Sequence, residues 1–193
     1  MGYNPRDPYF RQAKSEGYLA RSVYKLKAID EKYKLLAPGM RVIDLGAAPG
    51  SWSQYLLAKV GPHGYILALD VQELRLQADN LDFHQIDVFA SEVELLLTGR
   101  VWHGLVSDMA PATTGSRSTD QTRSAMLVER SLYLAQQFVQ IGGFWVAKLL
   151  EGPERKPITE RARRIFDQVH VFRPPATRKG STECFLIGLR KRL

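Results

Sequence analysis

The chain has 193 residues, of which 45% are hydrophobic, with one cysteine and a formal net charge of +7. This length suits one α/β domain, and no apolar run approaches the roughly 20 residues that a membrane-spanning helix needs. The single cysteine excludes an intramolecular disulfide, and the N-terminus has no apolar signal core, so we expect a soluble cytoplasmic protein. The histidines lack the spacing of metal ligands, so we expect no bound metal.

Basic charge is concentrated at the two ends of the chain. Residues 1–34 carry eight Lys and Arg against four Asp and Glu, residues 35–150 carry eight against eleven, and residues 151–193 carry eleven against five. Basic flanks around a near-neutral centre favour a polyanion such as RNA, because each neutralised phosphate releases counterions and adds affinity. A solvated basic surface that only aids solubility is the alternative.

The first 34 residues predict a basic N-terminal arm followed by a helix. Residues 1–15 mix aromatic and basic side chains with two prolines and predict an arm that contacts RNA. From Ser22 onward, apolar residues such as Leu26 and Ile29 recur at helical spacing. Lys25 lies near the margin of that apolar side, where it either points into a site or is solvated like most helical lysines.

The most informative stretch is RVIDLGAAPGSWS, residues 41–53. Its apolar half predicts a buried strand that ends in an acid, Asp44, and turns into a helix through small residues. Gly46 and Gly50 permit positive φ, and the turn leaves no bulky side chain between the backbone and a ligand. The turn therefore predicts a ligand cradle, with an ordinary tight connection as the alternative.

A second predicted strand, residues 65–69, ends at another acid, Asp70. An acid in this place can accept hydrogen bonds from both hydroxyls of a ribose. A nicotinamide cofactor would need a G-x-G-x-x-G turn over its pyrophosphate, whereas Pro49 removes one amide from the turn in this chain. S-adenosylmethionine, which has a ribose but no phosphate, fits better.

Two further acids follow predicted strands. A short third strand over residues 82–86 leads to Asp87, which either meets the adenine amino group or caps a following helix. A fourth strand over residues 101–107 delivers Asp108. The small polar residues 112–121 predict a mobile loop beside the site.

The next segment places a lysine among apolar residues. A helix over residues 126–139, stopped by the glycine pair that follows, leads to a fifth strand over residues 144–147 and then to Lys148. Burying an ammonium group is costly unless it is paired, so a carboxylate should compensate Lys148.

The C-terminal part predicts a basic amphipathic helix over residues 159–167, a sixth strand over 169–172 and a last strand over 182–189. Strands that alternate with helices imply a doubly wound parallel sheet, whose ligands bind beyond the carboxyl ends of the strands. The loop before the last strand is too short for a helical crossover, so this strand should be antiparallel and bring Glu183 to the same edge.

Motifs along the whole chain carry a resemblance to a known family. They are RSVYKL at 21–26, DLGAAPGSWSQ at 44–54, VSDMAP at 106–111, VAK at 146–148 and STE at 181–183. With them the chain resembles the FtsJ/RrmJ heat-shock ribose 2′-O-methyltransferases. The resemblance implies a Rossmann-like S-adenosylmethionine-dependent methyltransferase fold: a mostly parallel seven-stranded sheet, an antiparallel last strand and helices on both faces. It also implies one domain, with residues 1–34 as arm and helix and 35–193 as core.

The resemblance assigns site residues by position. The catalytic set of the family falls on Lys25, Asp108, Lys148 and Glu183. The cofactor contacts of the family fall on Gly50, Trp52, Asp70, Asp87 and Asp108, and the glycine turn described above adds Asp44 and Gly46 to the predicted cofactor-binding set. In this arrangement Lys148 orients or deprotonates the attacking hydroxyl.

The resemblance also implies a substrate: the 2′-hydroxyl of a uridine in large-subunit ribosomal RNA, within the assembled subunit. We expect a monomer, and we expect the basic ends to form one face that leads to the cleft and binds RNA through residues 1–34 and 151–181. Transfer RNA is the alternative substrate. A non-catalytic RNA-binding assembly factor and a nicotinamide oxidoreductase are alternatives from other functional classes, and the full catalytic set and the missing pyrophosphate turn argue against them.

Overall fold

The structure, a computed structural model, describes residues 7–178 and 180–192. Its strands are β1 (Arg41–Leu45), β2 (Tyr65–Asp70), β3 (Leu81–Gln85), β4 (Trp102–Ser107), β5 (Val139–Leu150), β6 (Phe166–Phe172) and β7 (Glu183–Lys191). They form one sheet in the order β3-β2-β1-β4-β5-β7-β6. Strands β1 to β5 pair in parallel, and β7 runs antiparallel to both β5 and β6. The predicted α/β fold with an antiparallel last strand is confirmed.

Helices cover both faces of this sheet. They are α1 (Pro8–Ser15), α2 (Val23–Tyr33), α3 (Ser51–Val60), α4 (Glu92–Leu97), α5 (Arg117–Phe138) and α6 (Arg155–Ile165). Apolar residues of α1, α2 and α3 share one core cluster, whereas those of α4, α5 and α6 share the other. Successive residues of a strand point to opposite faces, so Val42 joins the first cluster and Ile43 the second. Burial on both faces explains why the strands read as continuous apolar runs.

The N-terminal segment differs from its prediction. Residues 8–15 form helix α1, so the expected arm is wrong for the described part of this segment. Asp7 begins the helix, because its carboxylate accepts a hydrogen bond from the amide of Tyr9 at 3.0 Å, and Pro8 suits the first helical position. Ala13 is buried in the core, which fastens α1 to the sheet. Residues 1–6 of the predicted arm lie outside the described residues.

Two boundaries differ in the middle of the chain. The loop predicted over residues 112–121 is shorter in the structure, because α5 already begins at Arg117. Asp120 lies in the first turn of α5, where a carboxylate is favourable. Strand β5 begins at Val139, so the glycine pair lies inside the strand and does not stop the helix. There the pairing with β4 shifts register, and a Cβ on Gly143 would lie 2.6 Å from the carbonyl oxygen of His103. The pair therefore allows a bulge in a crowded part of the sheet.

The parallel strands give the sheet two distinct edges. We call the edge at which β1 to β5 end the carboxyl edge, and the edge at which they begin the amino edge. Because β7 is antiparallel, its first residue, Glu183, lies at the carboxyl edge opposite Leu150. Asp70 ends β2, Asp108 follows β4, and Lys148 lies near the end of β5. The topology thus gathers these side chains from distant parts of the sequence.

Candidate active site

The carboxyl edge contains a first cavity of about 250 Å³ beside the glycine turn. Its polar walls include Asp70 and Asp108. The remaining lining residues are Gly46, Ala48, Leu69, Val71, Gln72, Ile86, Val88, Met109, Ala110 and Leu127. The cavity therefore combines a carboxylate at the end of β2 with apolar walls from β3, β4 and α5, as expected for a site that takes a flat, partly polar ligand.

Gly46 is required where the backbone closes on Met109. Its φ is +74°, and an added Cβ would lie 2.8 Å from the backbone nitrogen and Cα of Met109. The amide of Gly46 donates to the carbonyl of Leu69 at 2.9 Å, which ties the turn to the end of β2. The turn is therefore open towards the cavity and tightly packed towards β4.

Asp70 is held in place by the backbone on both sides. One carboxylate oxygen accepts a hydrogen bond from the amide of Ala48 and the other from the amide of Gln72, each at 2.8 Å. Each oxygen keeps a lone pair for a further donor. Asp70 is thus oriented to accept hydrogen bonds from a pair of neighbouring hydroxyls on a ligand.

Four of the predicted cofactor-binding residues do not line this cavity; they are Asp44, Gly50, Trp52 and Asp87. Gly50 begins α3 with φ +121°, and Trp52 is 2% exposed, its Nε1–H donating to the carbonyl of Ser22 at 2.9 Å. Asp87 accepts a hydrogen bond from the amide of Phe89 at 3.0 Å, while its neighbours Ile86 and Val88 line the cavity. Direct cofactor contact by these four residues stays a prediction.

The alternative role given to Asp87, capping a helix, is wrong. Helix α4 begins at Glu92, and Ser91 occupies its N-cap position. The Asp87 carboxylate instead accepts from the amide of Phe89, which precedes the helix.

Asp44 lies beneath the turn and is fully buried. Its Oδ2 accepts a hydrogen bond from the Ser53 hydroxyl at 2.7 Å, and its Oδ1 has no hydrogen-bond partner among the described residues. Burial raises the pKa of Asp44 to about 7; the Ser53 hydrogen bond opposes this rise, and the charges of Asp108 and Asp70 add to it. Asp44 therefore supports the turn from the side away from the cavity, and its carboxyl group can hold a proton near neutral pH.

A second cavity, of about 260 Å³, adjoins the first and contains all four predicted catalytic residues. Asp108 lines both cavities. The second cavity is lined by Arg21, Ser22, Lys25, Asp108, Lys148, Ala176, Arg178, Ser181 and Glu183. The two cavities therefore meet at one carboxylate.

The four catalytic candidates form two ion pairs. Lys148 Nζ lies 3.0 Å from Asp108 Oδ1 and also donates to the Asp108 carbonyl. Lys25 Nζ lies 2.7 Å from Glu183 Oε1 and donates to Oε2 at 2.9 Å. Lys148 is 8% exposed, so Asp108 supplies the compensation that its burial requires. This arrangement can hold a hydroxyl oxygen beside an ammonium group and bring it close to the contents of the first cavity.

Sequence reasoning missed Arg21 and Arg178 as members of the second cavity. Arg21 donates to the Asp7 carboxylate and to the carbonyl of Ala176, and burial lowers the pKa of its guanidinium. Arg21 lies in the turn before α2, which begins at Val23, so helical periodicity did not single it out. Arg178 lies on a loop, where no periodicity could reveal it.

The chain matches a known family whose activity agrees with the geometry of the two cavities. The family model described as FtsJ-like methyltransferase matches residues 18–191. The chain belongs to the FtsJ-like methyltransferase family. The family resemblance read from the sequence is therefore confirmed, and with it methyl transfer as the activity of this protein.

Relatives named ribosomal RNA large subunit methyltransferase E match all or nearly all of the chain. Ribosomal RNA large subunit methyltransferase E of Bdellovibrio bacteriovorus is 42% identical and is covered completely, as is this chain. The protein of the same name from Nitratidesulfovibrio vulgaris (strain Miyazaki F) is 46% identical over 95% of this chain and 94% of its own length.

A solved Plasmodium falciparum structure, described as a ribosomal RNA methyltransferase, has the same fold. It superposes with a TM-score of 0.79 at 23% identity, and covers 90% of this chain and 98% of its own.

None of the helices in residues 7–178 and 180–192 has the length and apolarity to cross a membrane. In the same part of the chain no group of three or more His, Cys, Asp or Glu side chains is placed to hold a metal ion.

Proposed function

We propose that this FtsJ-like methyltransferase transfers a methyl group from S-adenosylmethionine to the 2′-hydroxyl of a uridine in large-subunit ribosomal RNA, within the assembled subunit. The observation that carries the proposal is that Asp108 lines two adjoining cavities and is paired, in the second, with a buried lysine. One cavity suits the methyl donor and the other the acceptor. The names of the full-length relatives support the choice of large-subunit ribosomal RNA.

The residues of the first cavity fit S-adenosylmethionine. Gly46 leaves the turn open, and a Cβ there would meet Met109. Asp70, oriented by the amides of Ala48 and Gln72, would accept hydrogen bonds from the two ribose hydroxyls. The apolar walls formed by Ile86, Val88 and Leu127 would cover an adenine ring.

The residues of the second cavity would prepare the attacking hydroxyl. When bound, S-adenosylmethionine supplies a methyl carbon on a positive sulfur, and the oxygen–carbon bond forms as the carbon–sulfur bond breaks. Lys148 Nζ, held by Asp108, would orient the hydroxyl oxygen as an ammonium group or accept its proton as a neutral amine. Alignment of this oxygen would supply much of the acceleration, because a fixed near-attack geometry removes entropy from the barrier.

The outer pair would support the same cavity. Lys25 and Glu183 hold each other beside the Phe185 ring, with Lys25 Nζ 5.9 Å from the ring centroid. Their charges balance, so the pair would shape the cavity without adding net charge. We also propose that the protein acts as a monomer in the cytoplasm.

A methyl-transfer assay tests the proposed function. Large subunits, protein-free large-subunit RNA and transfer RNA, all from cells that lack this protein, would be incubated with radiolabelled S-adenosylmethionine, and the modified nucleoside identified by mass spectrometry. We expect 2′-O-methyluridine in the subunits. Modification of transfer RNA alone would show that transfer RNA, and not large-subunit ribosomal RNA, is the substrate. Binding of subunits without methyl transfer would support the assembly-factor alternative.

A further inference from the structure

The amino edge of the sheet, opposite the candidate active site, carries a row of three adjoining cavities. The first lies around the ends of α5 and β7, the second beside the end of α2, and the third beside the start of β2. Gln140 lines both the first and the second, and Arg100 lines both the first and the third. The three cavities therefore form one continuous surface, which we call the amino-edge surface.

The amino-edge surface is strongly basic. Arg100, Arg164, Lys191 and Arg192 line the first cavity. Lys34 and Arg190 line the second, and Arg41 joins Arg100 in the third. No Asp or Glu of the described residues lines any of the three cavities. Such a surface repels other cations and attracts an anionic partner.

Contacts within the protein neutralise only part of this charge. Asp167, which lies beside the surface, pairs with Arg190 and Arg192. Lys191 donates to the carbonyl of Val139 at 2.6 Å and to that of Gln136, at the end of α5. Each helix C-terminus at the amino-edge surface contributes only about half a negative charge. Within the described part of the chain, Lys34, Arg41, Arg100 and Arg164 have no ion pair within 4.0 Å.

The basic ends of the chain are thus divided between both edges of the sheet. Arg21 and Lys25 lie in the cavity at the carboxyl edge, whereas Lys34, at the far end of helix α2, lies at the amino edge. Helix α6 ends at the amino edge in the same way, with Arg164 in its last turn. The prediction that the basic ends form one face leading to the cleft is therefore wrong for these residues.

The dimensions of the surface suit a polymer. From β2 across β1, β4 and β5 to β7 there are four strand spacings, or roughly 19 Å. This is far longer than one phosphate group. Gly143 on the amino-edge surface and Lys148 in the second cavity are five residues apart on β5, or roughly 17 Å. A partner at the amino edge therefore does not enter the active site.

We propose that the amino-edge surface binds the phosphate backbone of a second RNA segment of the substrate, distinct from the segment that carries the target ribose. The inference rests on the proposed function, because it deepens the description of the RNA that this enzyme takes. A folded ribosomal subunit presents phosphates from several segments at once, and contact on two edges would favour it over a short free RNA.

A triple variant tests the inference. Arg41→Gln, Arg100→Gln and Arg164→Gln together remove three exposed charges from this surface. The matched control, Arg75→Gln with Arg123→Gln and Lys156→Gln, removes three exposed charges from residues that line none of the five cavities described here. Circular dichroism and calorimetry with S-adenosylmethionine would verify that both variants are folded and bind cofactor.

The first readout is direct binding to protein-free large-subunit RNA as a function of salt. We expect the triple variant to bind the RNA on the order of tenfold more weakly than the wild-type protein. We also expect the negative slope of log K against log salt to become shallower by about 2 to 3. The control should keep the slope of the wild-type protein. An unchanged affinity and slope in the triple variant would overturn the inference.

The second readout separates this inference from the proposed function. With large subunits as substrate, the triple variant should show a raised KM and an unchanged kcat, because the amino edge touches no reacting atom. A lowered kcat with an unchanged KM would overturn the inference. If the wild-type protein methylates no subunit, the proposed function fails, whereas the salt-dependent binding experiment still decides whether the amino edge binds RNA.

Discussion

Lys148 and Asp108 form an ion pair, 3.0 Å from Nζ to Oδ1, at the point where the two cavities of the carboxyl edge meet. Lys148 comes from β5 and Asp108 follows the neighbouring parallel strand β4, so the sheet itself sets their separation. The ammonium group is nearly buried and faces the second cavity. The pair therefore links the donor and acceptor sites.

Removing either member of this pair should abolish methyl transfer. Lys148→Ala removes the group that orients or deprotonates the hydroxyl, and Asp108→Ala removes the carboxylate that holds it. We expect a loss of at least about 10²-fold in kcat. Methyl transfer to large subunits measures the effect, and circular dichroism verifies the fold. Turnover at the wild-type rate in either variant would refute the assigned roles.

Glu183→Ala should reduce methylation less than those two changes. Glu183 pairs with Lys25 at 2.7 Å and has no ion pair or hydrogen bond with Lys148 among the described residues. Its loss leaves Lys25 without a partner and perturbs the cavity wall only. Steady-state kinetics with large subunits would rank the variants, with Glu183→Gln as the matched control that keeps the hydrogen bond. A defect as large as that of Lys148→Ala would place Glu183 at the reacting atoms.

Asp44 should make the stability of the fold depend on pH. Burial raises the pKa of this carboxyl from 3.8 to about 7, so the folded protein binds a proton that the unfolded chain has already lost. The free energy of unfolding should therefore fall as pH rises from about 4 to 7, by up to about 1.4 kcal/mol per pH unit, and level off above that range.

Asp44→Asn isolates this contribution. Asparagine keeps an oxygen for the Ser53 hydroxyl but does not titrate. Urea unfolding of both proteins between pH 4.5 and 8 should show the fall in the wild-type protein and a flatter profile in the variant. Parallel profiles would show that the proton of Asp44 does not contribute to the pH dependence.

Gly46→Ala should weaken cofactor binding through crowding at Met109. The new Cβ would lie 2.8 Å from backbone atoms of Met109, and the left-handed φ of +74° costs about 1 to 2 kcal/mol in addition. Gly39→Ala is the matched control, since Gly39 has a φ of +80° and no atom within 4 Å of an added Cβ. Calorimetry with S-adenosylmethionine should show weaker binding for Gly46→Ala only. Equal affinities in the two variants would contradict the crowding argument.

Local sequence patterns predicted the elements that carry the site because each pattern is decided within one segment. An apolar run, an acid and small residues predicted the stretch from β1 into α3, and apolar runs likewise predicted the strands that lead to Asp70 and Asp108. The weaker predictions were those that depend on distant contacts. Mixed aromatic and basic residues with two prolines predict an arm over residues 1–15, whereas Ala13 becomes a core residue only in the cluster that α1 shares with α2 and α3.

By itself, then, the sequence determined the fold class and the glycine turn, and it predicted Lys25, Asp108, Lys148 and Glu183 as one set, which the structure brings into one cavity. Only the tertiary structure decided that Asp44 and Trp52 lie behind the cavity wall while Gly46 and Asp70 form it. It also decided that the basic residues at the chain ends face two opposite edges of the sheet. The reason is physical: periodicity and turn chemistry act over a few residues, whereas burial depends on which remote segments pack against a side chain.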